Sequence, residues 1–302
     1  MRMRHILKTA CLPLLTFGVV LGLTAGVWGR DIYVNQDLGD DRYQGHSPDS
    51  QGASDGPCRT IARALFLARA GDQVILAPTV EPYRESVTLQ GPRHSGLVTR
   101  PFRIVGNGAV LDGRQTVRPA VWQPVGRDLY SFQPALQSLG MLYRDERPAY
   151  PRARPVVETT PDTLGEGEGC LFEGWYYFRA APNRMPVEYT LSATLLPVGL
   201  TLCDVHNVEV LDLVVQGYRQ DGVAVADGTR DAHLSGLTTR GNGRAGISVS
   251  GAARVEIDGC LSGNNGMAQI WLDGESTVRL QNNTLPTGSA RAMVRMGGRL
   301  LE

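Results

Sequence analysis

The sequence is almost without lysine. Lys8 is the single lysine among 302 residues, so 29 of the 30 basic residues are arginines. Cysteines are also scarce, with five in the chain. The last four, Cys58, Cys170, Cys203 and Cys260, could pair in an oxidising compartment, although a chain of this size does not need disulfides, and their wide, irregular spacing argues against a zinc site. Acidic and basic residues balance at 30 each, and charged residues make up only 20% of the chain. This balance argues against a disordered chain and against a protein that binds nucleic acid through a basic face.

The first 29 residues have the pattern of a secretory signal peptide. Basic residues up to Lys8 precede an apolar stretch over residues 9–27. Val27 and Gly29 are then the small residues at positions −3 and −1 of a cleavage site. We expect cleavage after Gly29, which leaves residues 30–302 without lysine and excludes a lysine base or Schiff base. The alternative is a retained anchor, because 19 apolar residues just suffice to span a bilayer. After cleavage we expect no stable membrane span and a secreted, periplasmic or cell-surface protein.

The last hundred residues contain a repeat of 23 or 24 residues. Each unit begins with an alternating apolar segment, and these segments start at Leu200, Val223, Ile247 and Ile270. A second apolar register starts at Val208, Ala232, Val255 and Val278. A third apolar position follows at Leu213, Leu237 and Cys260, and Asn283 interrupts it in the fourth unit. Glycine, asparagine and aspartate separate the short segments, so each unit holds two or three very short strands.

A strand of three to five residues cannot form an independent sheet, but it can pair with its own copy one unit further on. The sequence therefore predicts an all-β fold, a right-handed parallel β-helix with about 23 residues per coil. Leucine-rich repeats share this period, but their fixed leucine frame is absent. Regularly spaced hairpins of a sandwich would not keep three registers in phase. One outward row of this β-helix should consist of Thr201, Ala224, Ser248 and Trp271.

The N-terminal half supplies a cap and further strands. Residues 60–70 form an amphipathic pattern that predicts a helix with Thr60 as N-cap and Gly71 at its end. Such a helix covers the first open end of a solenoid. Strands are predicted over residues 73–76, 86–89, 102–105 and 109–111. Residues 114–198 break the repeat, and their aromatic, turn-separated segments predict a β-rich antiparallel insertion.

Five short segments follow one another in a recognisable order at the start of the chain. They are Asp-Ile-Tyr-Val at 31–34, Gly-Asp-Asp at 39–41, Cys-Arg-Thr-Ile-Ala-Arg-Ala-Leu at 58–65, Ala-Gly-Asp-Gln-Val-Ile-Leu-Ala-Pro at 70–78 and Tyr-Arg-Glu-Ser-Val at 83–87. This order resembles the opening of secreted right-handed parallel β-helix proteins of the pectin-lyase-like superfamily. The resemblance implies a carbohydrate-active protein with a polysaccharide partner, either a polysaccharide lyase or a glycoside hydrolase, whose insertion would wall a groove beside the β-helix.

Two observations favour the alternative, a non-catalytic cell-surface or glycan-binding protein. The outward row predicted above carries no charged residue. The Gly-His-Gly and Arg-x-Lys motifs of paired-aspartate hydrolases with this fold are also missing, and a lysine base is unavailable. An arginine base remains open, and the chain also fits a truncated relative of such enzymes.

Asp204 and Asp227 form the first candidate site. They occupy the same turn position in consecutive units, which places their Cα atoms about 5 Å apart. Two carboxylates at that distance can share a Ca²⁺ ion through their oxygens. Alternatively, one of them holds a proton beside the other, which pairs a general acid with a nucleophile or base. A third interpretation is that aspartate simply favours turns.

Residues 218–221 form the second candidate site, together with Arg240 and Arg244 from the next unit. Arg219 could bind the carboxylate of a uronate, and Asp221 could serve as acid or base. The catalytic candidates are therefore Asp221, Arg219 and Asp227, and the alternative is a surface set of ion pairs. A separate outward ladder of mixed charge is interpreted as solvated surface; its members are Glu209, His233, Glu256 and Arg279.

Overall fold

The computed structural model describes residues 29–50, 55–135, 139–150 and 155–301. The predicted signal peptide lies outside these residues, apart from Gly29 at its end. Within the described ranges, none of the helices has the length and apolar character needed to cross a bilayer. The four cysteines of this part of the chain, Cys58, Cys170, Cys203 and Cys260, are free thiols.

The described residues wind through three parallel sheets. Sheet I has eight strands, which are Asp31–Val34, Gln73–Leu76, Phe102–Val105, His206–Leu211, Arg230–Ser235, Arg254–Asp258, Thr277–Gln281 and Arg299–Leu301. Sheet II has six strands, which are Val87–Gln90, Leu200–Cys203, Asp221–Ala226, Ala245–Val249, Ala268–Leu272 and Arg291–Arg295. Sheet III has four strands, which are Val110–Asp112, Val214–Gln216, Thr238–Arg240 and Leu261–Gly263. From Val87 to Gly263, and apart from the insertion, successive strands pass through sheets II, I and III in turn, which confirms the right-handed parallel β-helix.

The predicted registers are confirmed residue by residue. Leu200 pairs with Val223, Val223 with Ile247, and Ile247 with Ile270. The second register is confirmed by the pairs that join Val208, Ala232, Val255 and Val278. All of these side chains point inwards and are buried in one continuous core. Because each fully buried aliphatic side chain contributes about 1.5–3 kcal/mol, stacked apolar rows are the main source of stability.

Left-handed backbone conformation occurs at all three corners of the coil. The corner from sheet II to sheet I has positive φ at Asp204, Asp227, Gly251 and Gly274. The corner from sheet I to sheet III has it at Asp212, Gly236, Gly259 and Asn282. The corner from sheet III to sheet II has it at Gly217, Gly241 and Asn264. Glycine, asparagine and aspartate tolerate this conformation best, so the corners account for their regular spacing in the sequence.

The cap helix is shorter than predicted. It runs over Ile61–Leu67, and the Thr60 hydroxyl accepts a hydrogen bond from the amide of Arg63, so the predicted N-cap is confirmed. The predicted end at Gly71 is wrong, because Ala68 already has extended backbone. The Arg93 guanidinium donates to the carbonyl oxygen of Ala68 at 3.0 Å and thereby satisfies the end of the helix.

Buried asparagines form a polar ladder at the third corner. The amide nitrogen of Tyr218 donates to Oδ1 of Asn242, and the amide of Asn242 donates to Oδ1 of Asn265, both at 3.0 Å. Asn265 Nδ2 donates in turn to Gln269 Oε1 at 2.8 Å. The three amide side chains are fully buried, and the first two of these bonds join consecutive coils.

The insertion is β-rich and antiparallel, as predicted. One of its sheets contains Arg114–Thr116, Leu142–Arg144, Arg147–Pro148 and Leu191–Thr194. The other contains Gln123–Gly126, Leu129–Phe132, Gly169–Phe172 and Trp175–Arg179. The insertion also contains short 3₁₀ helices at Pro119–Val121, Val156–Glu158, Pro161–Thr163 and Pro186–Glu188, and a further one precedes it at Pro92–His94. Phe132 and Tyr176 stack in a core that belongs to the insertion alone.

Candidate functional site

The outer face of sheet II is lined mainly by small side chains. One outward row consists of Thr88, Thr201, Ala224, Ser248, Trp271 and Val294, and the register pairs of the strands confirm its order. A parallel row includes Cys203 and Ala226, which are register partners. Trp271 is half-buried and is the one large aromatic side chain in these two rows of described residues. The face is therefore a shallow floor with an aromatic ring near one end.

Asp221 and Arg244 form an ion pair at the edge of this floor. Asp221 begins the strand Asp221–Ala226, and its register partner is Ala245, so Arg244 comes directly before the partner. Arg244 Nε donates to Asp221 Oδ1 at 2.9 Å, and Arg244 Nη2 donates to Oδ2. The Ser248 hydroxyl also donates to Oδ2, at 2.9 Å. With 1% of its side chain exposed, this carboxylate holds Arg244 in one orientation.

The guanidinium of Arg244 faces both the carboxylate and the aromatic ring. Its central carbon lies 5.7 Å from the centroid of the Trp271 ring, which is within the range of a cation–π contact. Hydrogen bonding to Asp221 raises the pKa of Arg244 above its ordinary value, against the opposing effect of burial. A third of the side chain is exposed, and Nη1 has no hydrogen-bond partner among the described residues. Arg244 therefore has a free donor beside Trp271.

Asp204 and Asp227 lie in consecutive coils, as their spacing predicts. Both are exposed, and each directly follows one member of the register pair Cys203 and Ala226. Their φ angles of 53° and 47° show that both also serve as left-handed corner residues. Cys203 Sγ lies 4.0 Å from Asp227 Oδ2. Burial raises the pKa of the Cys203 thiol, and the two carboxylates raise it further.

The described residues contain no group of three or more histidine, cysteine, aspartate or glutamate side chains that could hold a metal ion. Asp204 and Asp227 alone would supply two carboxylates to a cation. Calcium binding by this pair stays a prediction, as does a catalytic role for Asp227.

The second candidate cluster divides in the structure. Tyr218 is fully buried and donates its hydroxyl to the carbonyl oxygen of Glu85, so it belongs to the core. Arg240 donates to Gln216 on the outer face of sheet III. Arg219 is half-buried, and its amide donates to Leu196; uronate binding by Arg219 stays a prediction. Proton transfer by Asp221 also stays a prediction, and the geometry adds a role in orienting Arg244.

The meeting of Asp221, Arg244 and Trp271 is the part of the site that sequence reasoning missed. The separation of Asp221 and Arg244 is 23 residues, which equals one coil, and this spacing is the signal that could have found the ion pair. The contact of Arg244 with Trp271 depends on how the long side chain crosses the sheet, and the spacing alone does not reveal that.

The insertion lies beside the corner between sheets III and II, where the strands of sheet II begin. Tyr143 donates its hydroxyl to the carbonyl oxygen of Gly241, and Tyr150 donates to Asn264 Oδ1 at 3.2 Å. The carbonyl of Leu139 packs directly against Gly243, the residue before Arg244, where a Cβ atom would not fit. The insertion is therefore attached to the corner between sheets III and II, beside the Asp221–Arg244 pair.

The mixed-charge ladder lies on another face of the molecule. Register pairs on sheet I join Glu209, His233, Glu256 and Arg279 in the predicted order. Arg103 extends the ladder through an ion pair with Glu209 at 2.6 Å. This ladder is separate from the floor of sheet II.

Residues 198–294 match a family model described as right handed beta helix region. No curated protein matches the sequence significantly. A solved structure described as a glycoside hydrolase is similar, with a TM-score of 0.51 and 9% identity, over 83% of this chain and 77% of that one. A complex of XylC with xylose has a TM-score of 0.43 and 13% identity, over 90% of this chain and 68% of that one. A rhamnogalacturonan lyase has a TM-score of 0.37 and 12% identity, over 90% of this chain and 63% of that one. The chain thus has the right-handed parallel β-helix fold.

Proposed function

We propose that this chain binds a polysaccharide along the outer face of sheet II. The observation that carries the proposal is the Trp271 ring beside Arg244, whose guanidinium is held by the buried carboxylate of Asp221. Sugar rings have an apolar face that packs on an aromatic ring, and their hydroxyl and carboxylate oxygens accept hydrogen bonds from arginine. Trp271 and Arg244 offer both contacts side by side.

The floor beside Trp271 suits an extended polymer. Its side chains include Thr201, Ala224 and Ser248, which are too short to block a chain that lies across the strands. From Trp271 to the corner at Asp227 the face measures on the order of 14 Å, given two inter-strand steps and three residues along a strand. A polymer can therefore contact Trp271 at one end of the floor and the two aspartates at the other.

The β-helix fold and the predicted signal peptide are both consistent with polysaccharide binding. The similar glycoside hydrolase has the same fold and is itself a carbohydrate-active protein by its description. We propose a carbohydrate ligand for this chain because of the contacts that Trp271 and Arg244 offer. A polysaccharide of the cell surface would be reached after export, so the proposal includes a working protein that is periplasmic, at the cell surface or secreted.

Replacing Trp271 with alanine is expected to weaken polysaccharide binding by about 10- to 30-fold, because the variant loses its stacking surface. Affinity electrophoresis against a panel of neutral and acidic polysaccharides identifies the ligand, and calorimetry then measures the dissociation constant. Trp175→Ala is the matched control, since Trp175 is half-buried in the insertion, in a sheet that pairs with no strand of sheet II. Equal weakening by both variants, or unchanged binding by Trp271→Ala, would refute this site.

Hydrolysis at Asp204 and Asp227 is the second candidate function. The observation that favours it is the exposure of both carboxylates at equivalent positions of consecutive coils. Cα atoms about 5 Å apart allow two carboxyl groups to reach the separation of about 5–5.5 Å used by retaining glycosidases. In such a pair one carboxyl group acts as the nucleophile and the other as the general acid.

Asp204→Asn and Asp227→Asn should each lower glycan cleavage at least about 100-fold while binding at Trp271 is retained. Reducing ends report hydrolysis and unsaturated products report lyase activity, both measured with and without Ca²⁺. Asp231→Asn is the control, because Asp231 is another exposed aspartate with positive φ, on sheet I. Cleavage that survives both substitutions would remove this pair as the catalytic centre. Glycan binding by the parent protein without any cleavage would instead favour a glycan-binding role without catalysis.

A further inference from the structure

The N-terminal end of the β-helix carries a face that is both basic and apolar. Residues 59–71 and 91–101 contain five arginines and no aspartate or glutamate, although the whole chain has balanced charge. The first segment holds the cap helix, and the second forms the loop that packs against the end of this helix. We call this surface the cap face; it consists of Arg63, Phe66, Arg69, Arg93, Leu97, Val98 and Arg100.

Phe66 is at the centre of the cap face. Its side chain is 63% exposed, although it stands on the short helix that covers the core. The guanidinium carbons of Arg63 and Arg93 lie 5.6 and 5.4 Å from the centroid of its ring. The face thus presents an aromatic side chain to solvent with two positive charges beside it.

Two more apolar side chains are exposed next to the end of the helix. Leu97 and Val98 lie at the tip of the loop, and both are exposed to solvent. Arg100 Nη2 lies 3.5 Å from the carbonyl oxygen of Ala70, which fixes the loop beside the helix. Clustered exposed apolar groups of this kind mark an interaction surface more often than scattered single ones.

The acids that lie near the cap face are engaged with other groups. Asp72 is buried in an ion pair with Arg30 at 2.6 Å, and Asp41 and Glu85 accept hydrogen bonds from backbone amides at the start of the cap helix. In the part of the chain that the structure describes, no carboxylate lies within ion-pair distance of Arg63, Arg69 or Arg93. These three arginines are therefore available to an anionic partner.

We infer that the cap face binds a lipid surface that carries anionic headgroups. Arginines near such a surface each contribute about 1 kcal/mol of attraction, which corresponds to about fivefold in affinity. Phe66, Leu97 and Val98 would enter the boundary between headgroups and acyl chains, where exposed apolar side chains are stabilised. A soluble polyanion would use the arginines but would leave these three side chains in water. The inference is independent of polysaccharide binding at sheet II.

Vesicle flotation tests this inference with two compositions, phosphatidylcholine alone and phosphatidylcholine mixed with phosphatidylglycerol. The parent protein should bind the mixed vesicles, and added salt should weaken the binding. Arg69→Glu reverses one charge and should weaken binding about 25-fold, as expected for two lost charge units. Phe66→Ser should weaken it several-fold without lowering stability, since this ring is mostly exposed. Every variant must share the N-terminus of the parent, as verified by mass spectrometry.

Two control variants carry the same changes elsewhere. Arg254→Glu reverses an exposed charge on sheet I, and Val80→Ser removes an exposed apolar side chain outside the cap face; both should bind like the parent. Equal binding to both vesicle compositions, or parental binding by Arg69→Glu, would overturn the inference. So would a soluble acidic polysaccharide that binds the parent and Phe66→Ser equally while the vesicles bind neither, because the partner would then be a polyanion.

Discussion

Replacing Asp112 with alanine is expected to lower the free energy of unfolding by about 3–5 kcal/mol. Asp112 ends the first strand of sheet III, and its carboxylate is fully buried. Arg114, which opens the insertion, donates its backbone amide and Nε to Oδ1, both at 2.9 Å. Gln216 of the next coil donates to Oδ2 at 2.9 Å. The substitution would leave the guanidinium of Arg114 buried without this carboxylate, at the junction of the β-helix and the insertion.

Glu146 provides the control for this prediction. Its carboxylate also contacts Arg114, but 74% of the side chain is exposed. Ion pairs in such positions contribute about 0–1 kcal/mol, so Glu146→Gln should change stability by less than about 1 kcal/mol. Urea unfolding followed by circular dichroism measures both variants. Similar losses in the two variants would mean that burial of the Asp112–Arg114 pair does not matter for stability.

The same pair makes a contribution that depends on pH. Burial tends to raise the pKa of Asp112, but the hydrogen bonds and charge of Arg114, with the hydrogen bond of Gln216, outweigh it and lower the pKa. A carboxylate with a depressed folded pKa stabilises the protein above its ordinary value of about 3.9. This contribution is lost as the pH falls from that value through the folded pKa. The parent should therefore lose more stability in acid than Asp112→Asn does.

Replacing Asn265 with alanine is expected to destabilise the β-helix by about 3–5 kcal/mol. Asn265 Oδ1 accepts from the backbone amide of Asn242 and from its side-chain amide, at 3.0 and 3.1 Å. Its own amide group donates to Gln269 and Ser262. Each buried polar group left without a partner costs about 1–3 kcal/mol, and at least two would be left. Thermal and urea unfolding measure the loss.

The neighbouring asparagine gives a matched control. Asn264 is exposed and has a φ of 57°, so it occupies the corner rather than the ladder. Asn264→Asp keeps an acceptor for the Tyr150 hydroxyl and a residue that tolerates this conformation, so it should change stability by less than about 1 kcal/mol. If the two variants were equally stable, the buried ladder would not contribute to holding neighbouring coils together.

The outline of the β-helix could be predicted from the sequence because its signals are local and repeated. The interval between Leu200, Val223, Ile247 and Ile270 gives the number of residues in one coil. In the structure each of these residues pairs with the next one. The end of the cap helix could not be predicted in this way. Ala68 is a good helix former, but its carbonyl is satisfied by Arg93, which comes from a distant loop.

The candidate sites follow the same division. Asp204 and Asp227 could be predicted to be neighbours, since a corner position repeats with the coil and both residues follow paired strands. Tyr218 neighbours Arg219 and Asp221 in the sequence, but it lies in the core, where its hydroxyl donates to the carbonyl oxygen of Glu85. Arg240 and Arg244 are only four residues apart, yet they face different sheets because the chain turns a corner between them.

By itself, the sequence determined the winding of this protein. Apolar residues at a fixed interval, with glycine, asparagine and aspartate between them, specify which strands pair and where the chain turns, because burial and backbone sterics act at each residue. Only the tertiary structure decided which side chains share a surface. The long side chain of Arg244 crosses from one coil to reach Asp221 and Trp271 in two others, and the cap face combines a helix with a loop. Contacts across coils depend on side-chain direction in three dimensions, which periodicity does not encode.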